Sequence, residues 1–284
     1  MRTPGDARGG ASLRSRRRSL AQTVKAPNLS LDLEGGTAMG PREFYTEIPS
    51  TQDRAIDLAR SGAVAGTRVV AGRQTEGRGR LDHRWASPGG GVYLSIVLAV
   101  PPEHETLLPI ALGARLAHAL VGEYSLPFRV QWPNDVLIAG GPAGARKVGG
   151  ILVERVERSG HEPVAVAGIS VNVSTPTEHF PPEFRARATS LSDVVDPPPT
   201  VDEVEALVVR SALRAAIGLR GPEGVEATRA LCRRWLWGVG HRATVDGADA
   251  GTIVGLGDEG ELLLDRGAER VAIRAGEVRV EGAA

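Results

Sequence analysis

Residues 129–171 read RVQWPNDVLIAGGPAGARKVGGILVERVERSGHEPVAVAGISV. Four apolar runs stand in this stretch: Arg129–Trp132, Val136–Ile138, Val148–Val156 and Val164–Val171. Gly-, Pro-, Asn- and Ser-containing turns separate them, and no helical pattern intervenes. Parallel neighbours need a long crossover, usually a helix, so this succession of strands calls for a mixed, largely antiparallel sheet.

Working outward, Val92–Leu98 is a further run, mostly apolar and so expected at the centre of the sheet. Thr67–Ala71 reads as a short strand. Order is expected from near Phe44. Ser50 and Thr51 resemble helix N-cap residues ahead of Ala55, Ile56, Leu58 and Ala59, with Gly62 as the stop. A helix follows Thr106, where Pro109 is tolerated in the first turn and Leu112, Leu116 and Leu120 share a face. Two more helices are expected over 202–217 and 223–236. After Trp237 the pattern changes to short strands (243–245, 250–256, 262–264, 271–274) divided by Gly-Asp-Glu-Gly type turns, which predicts a small β-barrel. The first 40 residues are rich in Arg, Gly, Ser and Pro and include Arg16-Arg17-Arg18. They read as a disordered basic tail, and Met39 is a second candidate initiator. The expected domains are therefore 1–40, 41–236 and 237–284.

Composition excludes some classes. Lys and Arg number 34, as do Asp and Glu, so bulk charge favours neither nucleic acid nor a membrane surface. The single cysteine, Cys232, cannot form an intrachain disulfide. It reads as a core thiol in a helix, with a reducing cytoplasm as the expected compartment. No apolar run approaches the roughly 20 residues of a membrane span. Of the 34 basic residues only Lys25 and Lys147 are lysine, and asparagine occurs only at Asn28, Asn134 and Asn172. Arginine does not substitute for lysine where a compact point charge is needed, so Lys147 stands out.

The chemistry begins at Gln74-Thr75-Glu76-Gly77-Arg78-Gly79-Arg80. Glycine lets the backbone approach a ligand, and arginine offers a planar fork suited to carboxylate or phosphate. Such a loop after a strand is a candidate anion clamp, although Gly-Arg repeats also occur in disordered RNA-binding tails. In Trp132-Pro133-Asn134-Asp135, Asn134 supplies a donor and an acceptor and Asp135 a carboxylate for a metal or a donor. An Asx-type turn is the alternative. In Lys147-Val148-Gly149-Gly150-Ile151-Leu152-Val153-Glu154, Gly149 and Gly150 open space against a buried strand. Asn172 closes Gly168-Ile169-Ser170-Val171-Asn172-Val173. Ser50, Thr51 and Gln52 can serve a small polar ring, or cap the helix, or both.

In this order, with Ala188-Thr189-Ser190-Leu191 downstream, these segments resemble biotin protein ligases over residues 44–284. The resemblance implies an α+β, class II synthetase-like catalytic fold with a mixed, largely antiparallel sheet, and an SH3-like C-terminal barrel. It implies that biotin and MgATP give biotinyl-5′-adenylate and pyrophosphate. A lysine of a biotin carboxyl carrier domain then takes the biotin. It further implies that Arg78, Arg80, Lys147 and Asp135 are catalytic, with Asp135 the Mg2+ ligand. Ser50, Thr51, Gln52, Gln74, Arg78, Gly79, Arg80, Lys147, Gly149 and Gly150 would bind biotin. Gly77, Arg78, Arg80, Trp85, Asn134 and Asn172 would bind the nucleotide, with Trp85 shielding the adenylate from water. Leu81-Asp82-His83 stands where members often carry another Gly-Arg pair, Gln52 stands where asparagine is common, and Gly140–Ala145 lengthen the hairpin before Lys147. With no winged helix-turn-helix expected ahead of the catalytic domain, the implied protein is a monofunctional ligase without specific nucleic-acid binding, a monomer or weak homodimer. A lipoate or octanoate ligase or transferase is the nearest alternative. A regulator using the basic tail and the barrel is an alternative of another class.

Overall fold

A computed structural model describes residues 39–81, 83–140 and 144–281 of the chain. The expected tail, 1–40, lies almost wholly outside them, and so does the middle of the lengthened hairpin.

Seven strands form the main sheet. In chain order they are β1 (Arg42–Tyr45), β2 (Arg68–Ala71), β3 (Gly91–Leu98), β4 (Phe128–Gln131), β5 (Asp135–Ile138), β6 (Arg146–Arg158) and β7 (His161–Asn172). Their spatial order is β1-β2-β3-β7-β6-β5-β4. Only β1 and β2 are parallel, joined through helix α1 (Thr51–Arg60); every other neighbouring pair is antiparallel. The sheet is therefore mixed and largely antiparallel, as the strand succession requires. The short edge strand β1 was not legible in the sequence.

Burial on both faces explains the unbroken apolar run in β3, where all eight residues are buried. Val92, Leu94, Ile96 and Leu98 point into the larger core with α2 (Leu108–Tyr124) and α3 (Val201–Gly218), whereas Val97 joins a smaller cluster under α1 with Ala55, Ile56 and Ala59. The same alternation splits β7 into Ala165, Ala167, Ile169 and Val171 on the α2 side and Val164 and Val166 on the α1 side. Towards Asn172 the α1 face loses its apolar filling. There Ser95 pairs with Gly168, Tyr93 with Ser170, and Ser170 with Gly150. Small and polar side chains leave this stretch of sheet as the floor of a cleft.

Helix α1 is capped as expected, with Ser50 Oγ accepting from Asp53 N at 3.3 Å. Pro109 lies in the first turn of α2, and α4 spans Pro222–Trp235. Cys232 is 1% exposed and burial pushes its thiol up to about 12, which makes it a core residue.

The C-terminal residues form a second, five-stranded antiparallel sheet. Its strands are β8 (Arg242–Val245), β9 (Ala248–Leu256), β10 (Leu262–Asp265), β11 (Arg270–Ile273) and β12 (Val278–Val280), in the order β11-β10-β9-β8-β12. Its buried face (Ala243, Ala250, Ile253, Leu262, Leu264, Val278) belongs to the same hydrophobic cluster as the main core. Trp132 Nε1 donates to Gly260 O at 2.8 Å and Gln131 Nε2 to Val278 O at 3.0 Å, tying the two sheets together. No helix among the described residues is long and apolar enough to cross a membrane.

Candidate active site

The Gly-Arg segment folds as an irregular hairpin. Gln74 bridges Ser87, Trp85 N donates to Gly77 O at 2.9 Å, and Gly79 N donates to His83 O at 2.7 Å. A Cβ at Gly77 would run into the Trp85 carbonyl, so only glycine lets the two arms close. Two groups of expected site residues meet around this hairpin.

The first group surrounds the N-terminus of α1. Gln74 Oε1 accepts from Thr51 N at 2.8 Å and Thr51 Oγ1 at 3.0 Å, while Gln74 Nε2 donates to Ser87 Oγ at 2.9 Å. Thr51 Oγ1 also lies 2.9 Å from Ser95 Oγ. Ser50, Thr51, Gln52 and Gln74 are all buried, giving a desolvated array of hydroxyl and amide groups at the helix N-terminus. Gln52 donates to Glu154 Oε2 and to Val166 O, both at 3.0 Å, but its Oε1 is buried without a hydrogen-bond partner among the described residues.

The second group gathers at the start of β6. Lys147 Nζ lies 2.7 Å from Asp135 Oδ1 and 5.0 Å from the Trp85 ring centroid, a salt bridge and a cation–π contact together. The lengthened hairpin thus does not keep Lys147 from the site. A Cβ at Gly150 would stand 2.8 Å from Trp85 Cζ3 and 3.4 Å from Lys147 Cε, so this glycine makes the room in which the indole and the lysine pack. Trp85 Nε1 is buried and unpartnered among the described residues. Leaving such a group unpaired costs about 1–3 kcal/mol, which a bound acceptor would offset. Neighbouring Gly149 sits on β6 opposite Val171. Arg80 NH1 reaches Asn134 Oδ1 at 3.3 Å, and Asn134 Nδ2 donates to Ile151 O at 2.7 Å. Burial lowers the Arg80 pKa, opposed by the charges of Asp135 and Asp246; the guanidinium stays a cation at neutral pH.

Two expected residues take other partners. Both ends of the Arg78 guanidinium are held by carboxylates, Asp53 at 2.8 Å and Glu154 at 2.9 Å. Asn172, buried at the end of β7, donates to Thr189 O at 3.1 Å. Thr189 N in turn donates to Lys147 O at 2.9 Å, so the Ala188–Ser190 segment links Asn172 to the lysine through backbone.

Ser87, Ser95 and Glu154 are site neighbours to which sequence reasoning assigned no role. Ser95 and Glu154 lie inside apolar strand runs, and their polarity at inward-facing positions was the available signal. A cavity of about 430 Å³ lies against the hairpin, lined by Gln74, Gly77, Trp85 and Ser87 with Pro181 and Phe184. Another of about 240 Å³ lies between the sheets, with Arg80, Trp132 and Ile151 on one side and Glu259, Glu261 and Arg274 on the other. The arrangement can hold a small polar ring at one end and gather negative charge at the other, beside Lys147 and Arg80.

A cleft over a mixed sheet, with a cation-bearing hairpin above it, defines a class that comparison with known proteins identifies. Residues 45–172 match the family described as Biotin/lipoate A/B protein ligase family. The chain is 30% identical over 238 residues to the bifunctional ligase/repressor BirA of Bacillus subtilis, covering 80% of this chain and 70% of that one. It is 30% identical over 255 residues to the biotin–[acetyl-CoA-carboxylase] ligase of Mycobacterium tuberculosis, covering 86% and 90% respectively. A solved structure of biotin protein ligase from Aquifex aeolicus, in complex with biotin and ATP, superposes with a TM-score of 0.70 at 29% identity, over 84% of this chain and 98% of that one. The chain belongs to the biotin/lipoate A/B protein ligase family, and two of the relatives named here, from Mycobacterium tuberculosis and Aquifex aeolicus, are biotin ligases by name.

Proposed function

We propose that this protein activates biotin with ATP to biotinyl-5′-adenylate and transfers the biotin to a lysine of a biotin carboxyl carrier domain. The observation that carries the reading is the convergence of Lys147, Asp135, Trp85, Gly150, Arg80 and Asn134 at one end of the cleft, with Ser50, Thr51, Gln52 and Gln74 at the other.

In this reading the hydroxyl and amide groups near α1 hold the biotin head group, and Gly150 leaves the floor bare beside Trp85 and Lys147, whereas Gly149 turns to the α2 side with Val171. A biotin carboxylate oxygen attacks the α-phosphorus and pyrophosphate leaves. Anions crowd together in that step, so Lys147 and Arg80 contribute mainly by neutralising charge in a site that excludes water. The backbone of Gly77 and Gly79 lets the hairpin approach. Trp85 covers the mixed anhydride, and the unpartnered Nε1 suits a ligand acceptor. Asn134 serves the nucleotide, and Asn172 holds the Thr189 segment that runs beside Lys147. The carrier lysine amine then attacks the anhydride carbonyl and AMP leaves.

Among the described residues no group of three or more His, Cys, Asp or Glu is placed to hold a metal. Asp135 is a single carboxylate, which fits Mg2+ arriving on the ATP phosphates, because Mg2+ keeps several waters and takes one or two protein carboxylates. The ion would supply charge neutralisation of those phosphates. A reducing cytoplasm agrees with the lone buried cysteine, and the balanced charge gives no bulk attraction to nucleic acid or a membrane surface; a monomer or weak homodimer completes the reading.

The test is biotin-dependent pyrophosphate release with MgATP, followed by mass spectrometry of an added carrier domain. The expected result is release together with one biotin-sized adduct on a single lysine. Release driven by lipoate and not by biotin would establish the lipoate ligase alternative.

A further inference from the structure

The sequence presents Arg78 and Arg80 as a pair, but their surroundings differ. Arg80 is held by a neutral amide at 3.3 Å, whereas Arg78 is held by two carboxylates within 2.9 Å. Burial works against the Arg78 charge, yet Glu154 and Asp53 keep its pKa above the ordinary value. A guanidinium neutralised twice is not an open anion clamp. Glu154 also has a second engagement, since its other oxygen accepts from Gln52 Nε2 at 3.0 Å. One carboxylate on β6 thereby joins the hairpin to the first turn of α1, where Ser50 and Thr51 sit. It stands on the strand that carries Lys147, seven residues further on. Groups mounted on a strand are placed more accurately than groups on a loop.

We infer that Glu154 is a positioning residue, which seats the Gly-Arg hairpin against α1 by holding Arg78 and Gln52 at once. Arg78 is then the hairpin's anchor, and Arg80 is the arginine left to face ligand. The side chains of Arg78 and Glu154 are 40% and 30% exposed, so the pair is screened by salt and adds little to global stability. Its effect is local and falls on how often the hairpin lifts. The consequence for ligand retention rests on the proposed function; the anchoring does not.

Glu154→Gln tests it, because glutamine still offers Gln52 an acceptor while removing the charge that holds Arg78. In the ligand-free full-length protein, tryptic cleavage at Arg80 and Arg84 should quicken about fivefold, the scale expected for losing one partly screened charge-assisted hydrogen bond. Salt should accelerate this cleavage in the wild type and do so less in the variant, where the Asp53 carboxylate still pairs with Arg78. With biotin and MgATP, KM for biotin should rise by a similar factor while the single-turnover rate at saturating biotin is unchanged. Asp53→Asn, which removes the other carboxylate and spares the Gln52 contact, should move cleavage in the same direction. Unchanged cleavage in Glu154→Gln, or acceleration in Asp53→Asn alone, would overturn the inference, as would equal losses in KM and single-turnover rate. If the protein released no pyrophosphate with biotin, the proposed function would fall, and ligand-free cleavage would still decide the anchoring.

Discussion

Lys147 occupies a space bounded by the Asp135 carboxylate, the Trp85 ring and the bare Cα of Gly150. An ammonium fits that space as a point charge, whereas a guanidinium would need a planar slot. Lys147→Arg should therefore lower adenylate formation by roughly tenfold or more although charge is conserved, and Lys147→Ala by roughly 10²–10³-fold. Near-normal single-turnover pyrophosphate release by Lys147→Arg would show that this lysine is incidental. Gly150→Ala should displace Trp85 and Lys147 together, slowing the same step about tenfold, the scale on which small misplacements act. Thermal unfolding separates this from global damage, because Gly150 lies in the cleft and the melting temperature should stay near that of the wild type. Cys232 gives a prediction in pH. The folded thiol is held neutral, with its pKa raised from 9.0 to about 12 by burial. Only the unfolded state ionises as pH climbs past 9, so this contribution is intact below that point and is lost between pH 9 and 12. Denaturant titrations should show stability falling there by up to about 1.4 kcal/mol per pH unit from this group. An Ellman reaction on native protein at pH 8 should be negligible.

At the level of elements, local chemistry and tertiary demand agree in most places. Helix α3 begins with a capping box, Glu203 N donating to Thr200 Oγ1 at 3.3 Å and Thr200 N to Glu203 Oε2 at 2.8 Å. Thr200 is exposed and its hydroxyl is engaged in the cap, so Thr200→Ala should cost about 1 kcal/mol in urea unfolding and leave pyrophosphate release unchanged. The start of α1 was equally legible, because Ser50 obeys the same rule. Two of the four edge strands, Arg42–Tyr45 and Val278–Val280, were not, because they are four and three residues long and charged side chains break what apolar run they have. Pairing with β2 and β8 makes them strands, and those partners lie more than 20 residues away. Glu154 was hidden for a related reason. Its place in an apolar strand was plain, but its partners on α1 and the hairpin were not.

On the scale of the whole molecule, the two sheets share one hydrophobic cluster and are joined at Trp132 and Gly260. Trp132→Phe keeps most of the packing and removes the indole donor, leaving Gly260 O without that partner. It should destabilise the protein by about 1–3 kcal/mol in chemical unfolding. A separate early transition of residues 237–284 in that variant would establish them as an independent domain. Removing residues 1–38 leaves every cleft residue in place, so pyrophosphate release should persist; its loss would favour a function seated in the basic segment. The sequence alone determined the types of most elements, the antiparallel character of the sheet and most chemical groups of the cleft, because strand succession, periodicity, caps and residue chemistry are local or compositional properties. Tertiary structure alone decided which partner each charge takes. Arg78 and Glu154 are 76 residues apart, and Lys147 meets Trp85 only because Gly150 leaves room. Sheet register and the path of the hairpin set those meetings, and a clamp arginine and an anchor arginine are the same residue until the fold supplies the carboxylates.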